Sequence, residues 1–210
     1  MKHYQEYIIE WIVFIVMLII FIKVLQIPNE DAIIVAGQSN ALYIGNITTS
    51  IIGIEVVDCS KGGINISEYY SDSLLYKECI KKAKKYNIIG MFFYQGESDA
   101  GRIFINQPLN EDWNKDFERI ILSFRKDLKS DFKVIYAQVG QYNTAVIPDI
   151  STETNNTFNN NWIEFKYIQT KVNLSGLTMI ITDDLPTTDD VHHSYESNVI
   201  VTKRFIEALK

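Results

Sequence analysis

Residues 32–40 read AIIVAGQSN, and residues 88–99 read IIGMFFYQGESD. Each begins as a short apolar run rich in β-branched or aromatic residues and ends abruptly in small and polar ones. Such runs, without clean polar alternation, fit strands buried on both faces of a parallel sheet. Three more runs have the same character: Ile51–Val57, Lys133–Val139 and Leu177–Thr182. Helical patterns lie between them, at about 67–86, 111–129, 160–173 and 194–209. In the second of these, Trp113, Phe117, Ile120, Ile121 and Phe124 recur at helical spacing, as an apolar face packed on a core does. Five strands alternating with crossover helices predict an α/β domain. The expected architecture is a three-layer α/β/α sandwich around a five-stranded parallel sheet. The stretch 141–161, rich in Asn and Thr, reads as a long loop.

The chain has 210 residues, enough for one such domain and short for two. With 20 Lys plus Arg against 26 Asp plus Glu, its net charge is −6. No basic block offsets that balance, so nucleic acid is not an expected partner. Cys59 and Cys79 are the only cysteines, too few for a zinc site of four thiolates or a disulfide-rich scaffold. The spacing leaves two arrangements open, a pair or two separately buried thiols.

The N-terminal 28 residues differ from the rest. Residues 11–22 read WIVFIVMLIIFI, and extending to Ile8 and Ile27 gives 20 residues broken by Glu10 and Lys23. A helix of that length spans ~30 Å, the thickness of a bilayer core. The stretch lacks the polar face of a buried amphipathic helix, and no small-residue cleavage site follows it. It is therefore read as a single-pass anchor over residues 1–28, with the domain over 29–210. Lysine placement favours a domain outside the cytoplasm.

In an open parallel sheet the active site lies at the carboxyl ends of the strands. After the first strand come Gly37, Gln38, Ser39 and Asn40. A serine on a tight turn from strand to helix exposes its hydroxyl beside backbone N–H groups that can bind an oxyanion. A serine capping a helix has the same local appearance. Gly62 and Gly63 follow the second strand, where the missing Cβ lets an N–H face the cleft. Gln95, Gly96, Glu97, Ser98 and Asp99 follow the third. Near the end, TTDDVHHSYES sets Asp189 three residues before His192, with Asp190 and His193 as an overlapping pair. An Asp so placed can accept from Nδ1 and leave Nε2 as the base toward a serine. Two adjacent histidines without a third nitrogen ligand make a poor zinc site.

These blocks together resemble the SGNH (GDSL-like) hydrolase superfamily, and within it the sialate O-acetylesterase and acetylxylan esterase branch. The matching residues are Gly37–Asn40, Gly62–Gly63, Gln95–Asp99 and Asp189–His192, and the helix FKYIQTKV places Lys166 and Gln169 where the branch has Arg and Gln. The resemblance implies Ser39 as nucleophile, His192 as general base and then acid, and Asp189 as its orienting partner. It implies oxyanion donors from the N–H groups of Ser39 and Gly63. Ser98 stands where the wider superfamily carries a donor Asn, so Gln95 is the expected third donor. Gln38, Asn65, Glu97 and Ser98 complete the expected oxyanion and substrate contacts, although GGIN replaces the branch's GGTS and Ile64 removes a hydroxyl. The implied activity is removal of O-acetyl groups from glycans, with no cofactor and no metal. An O-acyltransferase, a short-chain lipase or thioesterase, and a non-catalytic carbohydrate-binding module remain as alternatives. Tyr43, Tyr142 and Trp162 are either sugar-stacking rings or packing residues. Nothing in the sequence sets the oligomeric state.

Overall fold

The computed structural model describes residues 7, 11–18, 30–101, 108–142 and 151–210. Five parallel strands form one sheet in the order β2-β1-β3-β4-β5: β1 Asp31–Gly37, β2 Glu55–Ser60, β3 Asn87–Tyr94, β4 Lys133–Ala137 and β5 Leu177–Ile180. Five helices cover it: α1 Ile44–Ile52, α2 Leu74–Ala83, α3 Trp113–Leu128, α4 Thr152–Thr170 and α5 Tyr195–Leu209.

Side chains alternate across each strand, so neighbours in sequence enter different cores. Ala32, Ile34, Ala36, Met91 and Phe93 join one core with Phe117, Phe124 and Phe165 of α3 and α4. Ile33, Val35, Phe92 and Tyr94 join the other, against Ile44 of α1 and Val201 and Phe205 of α5. Both faces of the sheet are covered, which is why the strands read as continuous apolar runs. The strand order reverses between β1 and β3, so a crevice opens at their carboxyl ends. That crevice receives the GQSN and QGESD segments.

The sheet is the five-stranded parallel one expected, with corrections at several borders. The run expected as a strand over Ile51–Val57 is divided. Ile51 and Ile52 close α1, and Gly53 ends that helix at φ +66°, its N–H bonded to the Thr49 carbonyl at 2.9 Å. The helix expected over 67–86 is also divided. A short 3-10 turn at Ile66–Tyr69 precedes α2, which starts where the Ser73 hydroxyl accepts from the Tyr76 N–H. Of the long loop expected over 141–161, residues 143–150 lie outside the described residues, and helix replaces the expected loop from its cap at Ser151. That residue caps α4 by accepting from the Thr154 N–H, and Trp162, Phe165 and Ile168 bury the helix against the sheet. Cap and apolar stripe outweigh the poor helix propensity of the Asn and Thr residues.

Cys59 in β2 and Cys79 in α2 form a disulfide, with Cα atoms 5.4 Å apart. Of the two arrangements the sequence left open, the pair is the one found.

Residues 11–18 are helical and exposed. The remainder of the apolar stretch 8–27, expected as the anchor, lies outside the described residues. Among the described residues no helix is long and apolar enough to cross a membrane.

Candidate active site

Strand β1 ends in a backbone that tolerates no side chain. Gly37 has φ +136°, and a Cβ there would lie 1.9 Å from the Tyr94 carbonyl oxygen of β3. Only glycine allows this approach. The Gln38 N–H donates to the same carbonyl at 2.9 Å, which fixes the turn into a 3-10 segment at Ser39–Ala41. The turn presents the Ser39 hydroxyl at the head of the sheet.

The partner arrives from the far end of the chain. Ser39 Oγ lies 2.8 Å from His192 Nε2, and His192 Nδ1 lies 2.7 Å from Asp189 Oδ2. The other Asp189 oxygen accepts from the N–H groups of Val191, at 2.9 Å, and His192, at 2.7 Å. Burial pushes the Asp189 carboxyl up, but those two N–H groups and the imidazole outweigh it and hold the pKa at about 2. An ionised Asp189 accepts from Nδ1–H, leaving Nε2 with its lone pair toward the serine. The structure thus brings together three residues spread over most of the chain. In this arrangement the hydroxyl proton can pass to the imidazole as the oxygen attacks an electrophile.

The overlapping pair points elsewhere. His193 is buried, and its Nε2 lies 2.7 Å from the Tyr94 hydroxyl while Nδ1 faces the Pro186 carbonyl. With Nδ1–H donating to that carbonyl, Nε2 accepts from Tyr94. Burial holds the imidazole below its usual pKa, with His192 and Arg204 acting in the same direction.

Behind the serine the QGESD segment forms a buried brace. Gln38 Oε1 accepts from the N–H of Ser98 at 3.2 Å and of Gly96 at 3.4 Å. Gln95 Nε2 donates to Asp99 and to the Ile64 carbonyl, and Gln95 Oε1 accepts from Trp113 Nε1 at 2.7 Å. Asp99 also accepts from the Ile66 N–H, tying the segment to the loop after β2, and burial raises its pKa. Gln95 is wholly buried, and in this arrangement its N–H groups face the protein interior rather than the cleft. Ser98 and Glu97 are buried beside it. Among the described residues, Ser98 Oγ and Gln38 Nε2 have no hydrogen-bond partner.

Gly63 is exposed at φ +69°, in a loop where a Cβ would meet nothing within 4 Å, and Asn65 is half-buried beside it. Gln169 reaches from α4 to accept from the Val139 N–H at 2.9 Å, and Lys166 pairs with Asp183. Trp162 is buried, donates to the Gly140 carbonyl at 2.9 Å and stacks on Tyr142 with centroids 4.9 Å apart, as a packing residue does. Tyr43 is exposed.

Two residues gained no role from the sequence. The buried Tyr69 hydroxyl accepts from the Gly37 N–H at 2.7 Å and lies 2.9 Å and 2.7 Å from the carbonyls of Gly37 and Cys59. It joins the ends of β1 and β2, a long-range contact that no local pattern announces. Asn40 is buried between Glu97 and the turn that carries His192. Its position directly after the serine was the one available signal.

Asp189, Asp190 and His192 each offer a ligand atom within 4.8 Å of the others. Both His192 nitrogens are already engaged, so a cation there would compete with the bonds to Ser39 and Asp189.

The model for a family described as carbohydrate esterase, sialic acid-specific acetylesterase, matches residues 39–210. A protein from Arabidopsis thaliana superposes with a TM-score of 0.67 at 16% identity, over 87% of this chain and 98% of that one. The structure of NanS gives 0.60 at 13% identity, over 87% and 97%. The acetyl xylan esterase AlAXEase gives 0.57 at 14% identity, over 86% and 100%. At these identities the structures share the fold. No curated protein sequence matches the chain.

Proposed function

This chain belongs to the carbohydrate esterase, sialic acid-specific acetylesterase family and is by that membership a carboxylic ester hydrolase, and from that premise we propose that it removes O-acetyl groups from glycans through Ser39, His192 and Asp189. The observation that carries the reading is the continuous hydrogen-bonded chain Asp189–His192–Ser39, at 2.7 Å and 2.8 Å.

The proposed reaction runs in two halves. Ser39 Oγ attacks the ester carbonyl carbon as its proton passes to His192 Nε2. Asp189 stabilises the imidazolium without taking the proton. The backbone N–H groups of Ser39 and Gly63 receive the developing oxyanion, a contribution worth ~3 kcal/mol for each donor. Nε2–H then protonates the sugar alkoxide as it leaves, and the acetyl group remains on Ser39. Water, deprotonated by the same nitrogen, releases acetate and restores the serine. Gln38 and Gln95 hold the nucleophile's turn from behind, and Tyr43 offers an exposed ring to the sugar.

We further assign the domain to the outer side of a membrane, anchored through residues 8–27. The disulfide Cys59–Cys79 supports that side, because such bonds persist in oxidising compartments and are rare in the cytosol.

The test is acetate release by the full chain from acetylated sialic acid, acetylated xylan and p-nitrophenyl acetate, beside Ser39→Ala and His192→Ala. Turnover of at least one acetyl ester that both substitutions abolish is expected. Parental turnover in either variant overturns the reading.

A further inference from the structure

Asn40 stands next to the nucleophile, yet its side chain holds the base. Its amide is 2% exposed and fully engaged. Nδ2 donates to Glu97 Oε1 at 2.6 Å and to the Val191 carbonyl at 3.1 Å, and Oδ1 accepts from the His193 N–H at 3.1 Å. The Val191 carbonyl belongs to the peptide before His192, and the His193 N–H to the peptide after it. One side chain therefore grips both peptide groups that adjoin the His192 Cα.

The other bonds of this turn have a different reach. Asp189 bonded to Val191 and His192, and the Thr188 N–H donating to the His192 carbonyl at 2.7 Å, shape the turn from within. The His193 ring bonds Tyr94 below it. The Asn40 clamp alone among these links the turn to the residue covalently joined to Ser39. We propose, resting on the catalytic reading above, that Asn40 is a positioning residue that sets the distance between the His192 imidazole and the Ser39 hydroxyl, with Glu97 fixing which way its amide faces.

The chemistry of the clamp is specific. It needs two N–H donors and one carbonyl acceptor in one short planar group. Aspartate keeps the acceptor and loses both donors, glutamine is one methylene too long, and serine has a single donor. A misplaced base lowers the rate far more than it weakens substrate binding, because small errors in the approach of reacting groups are amplified in the transition state.

Asn40→Asp in the full chain tests this, with p-nitrophenyl acetate turnover and the rate of Ser39 labelling by a fluorophosphonate as readouts. A fall in kcat of about 100-fold is expected, with KM held within about threefold and labelling slowed in parallel. The double variant Asn40→Asp/Glu97→Gln restores a donor facing the acceptor with the roles exchanged, and it should recover at least about tenfold of the loss. Parental kcat in Asn40→Asp overturns the proposal. So does a loss of the native circular dichroism spectrum that the double variant does not repair, which would make Asn40 a folding residue only. Ser39→Ala run alongside separates the two levels. If it is inert while Asn40→Asp turns over normally, only the positioning role fails; if it turns over normally, the catalytic reading itself fails.

Discussion

Replacing Tyr69 by Phe removes one oxygen from the junction of β1 and β2. That oxygen accepts from the Gly37 N–H at 2.7 Å and shares its proton between the carbonyls of Gly37 and Cys59. The ring stays, including its edge contact with Phe93 at 5.4 Å, so little cavity is left. The Gly37 carbonyl still accepts from the Lys61 N–H at 3.0 Å, so its loss is small. The Gly37 N–H is different, since it becomes a donor with no partner in the interior. An orphaned buried donor costs about 1–3 kcal/mol, and the bond to Cys59 adds about 1. Taking about 3 kcal/mol for the sum, the melting temperature of a chain this size falls by roughly 6–12 °C. Gly37 is two residues before Ser39, so the turn that carries Ser39 loosens as well, and kcat for p-nitrophenyl acetate falls with the melting temperature. Thermal melts followed by circular dichroism, with turnover measured well below the transition, supply both readings. A Tyr69→Phe protein that melts and turns over like the parent would refute the claim that this phenol holds the two strand ends together.

Three further outcomes follow from the same geometry. The Cys59–Cys79 bond closes a segment with a sequence separation of 20, so reducing it or substituting both residues by Ser costs about 3 kcal/mol in the unfolding free energy, read from denaturant curves with and without reductant. The Asp189 carboxyl sits at about 2 against an ordinary 3.8, so it stays ionised to about pH 3. Any fall in kcat/KM between pH 7 and pH 4 therefore belongs to another group, and Asp189→Asn lowers the plateau of the pH–rate profile because the imidazolium loses its partner carboxylate. His193 is held neutral by burial, below its ordinary 6.5, while the unfolded chain takes up the proton near that value. Stability contributed by the neutral ring is complete above pH 6.5 and falls below it by up to about 1.4 kcal/mol per pH unit until the native ring also protonates. His193→Gln should flatten this part of the melting temperature against pH, and an unchanged slope would remove His193 as its source.

What was legible in the sequence was whatever local chemistry determines. Ala32–Ala36 and Ile88–Tyr94 read as buried strands because both faces of the sheet are covered. Ser39 and the Asp189–His192 turn were each local candidates, from a strand end and a three-residue offset, and only the resemblance of all the blocks to a known hydrolase superfamily joined them into one site. Borders were harder. Gly53 divides a run of β-branched residues that propensity alone assigns to a strand, and the cap at Ser151 turns an Asn-rich stretch into helix. The brace was not legible at all. Gln95 looks like a cleft residue from its neighbours in sequence, yet Trp113 and Asp99 draw its amide inward. Tyr69 and Asn40 act on partners 32 and 153 residues away, and no periodicity encodes a contact of that range.

In the proposed mechanism a nitrogen of His192 makes the oxygen of Ser39 reactive. Mass spectrometry of the full chain after brief exposure to a fluorophosphonate tests it directly. A single adduct is expected on the peptide containing Ser39, absent in Ser39→Ala and formed far more slowly in His192→Ala. An adduct that forms at the parental rate without the imidazole, or on a different residue, would contradict it.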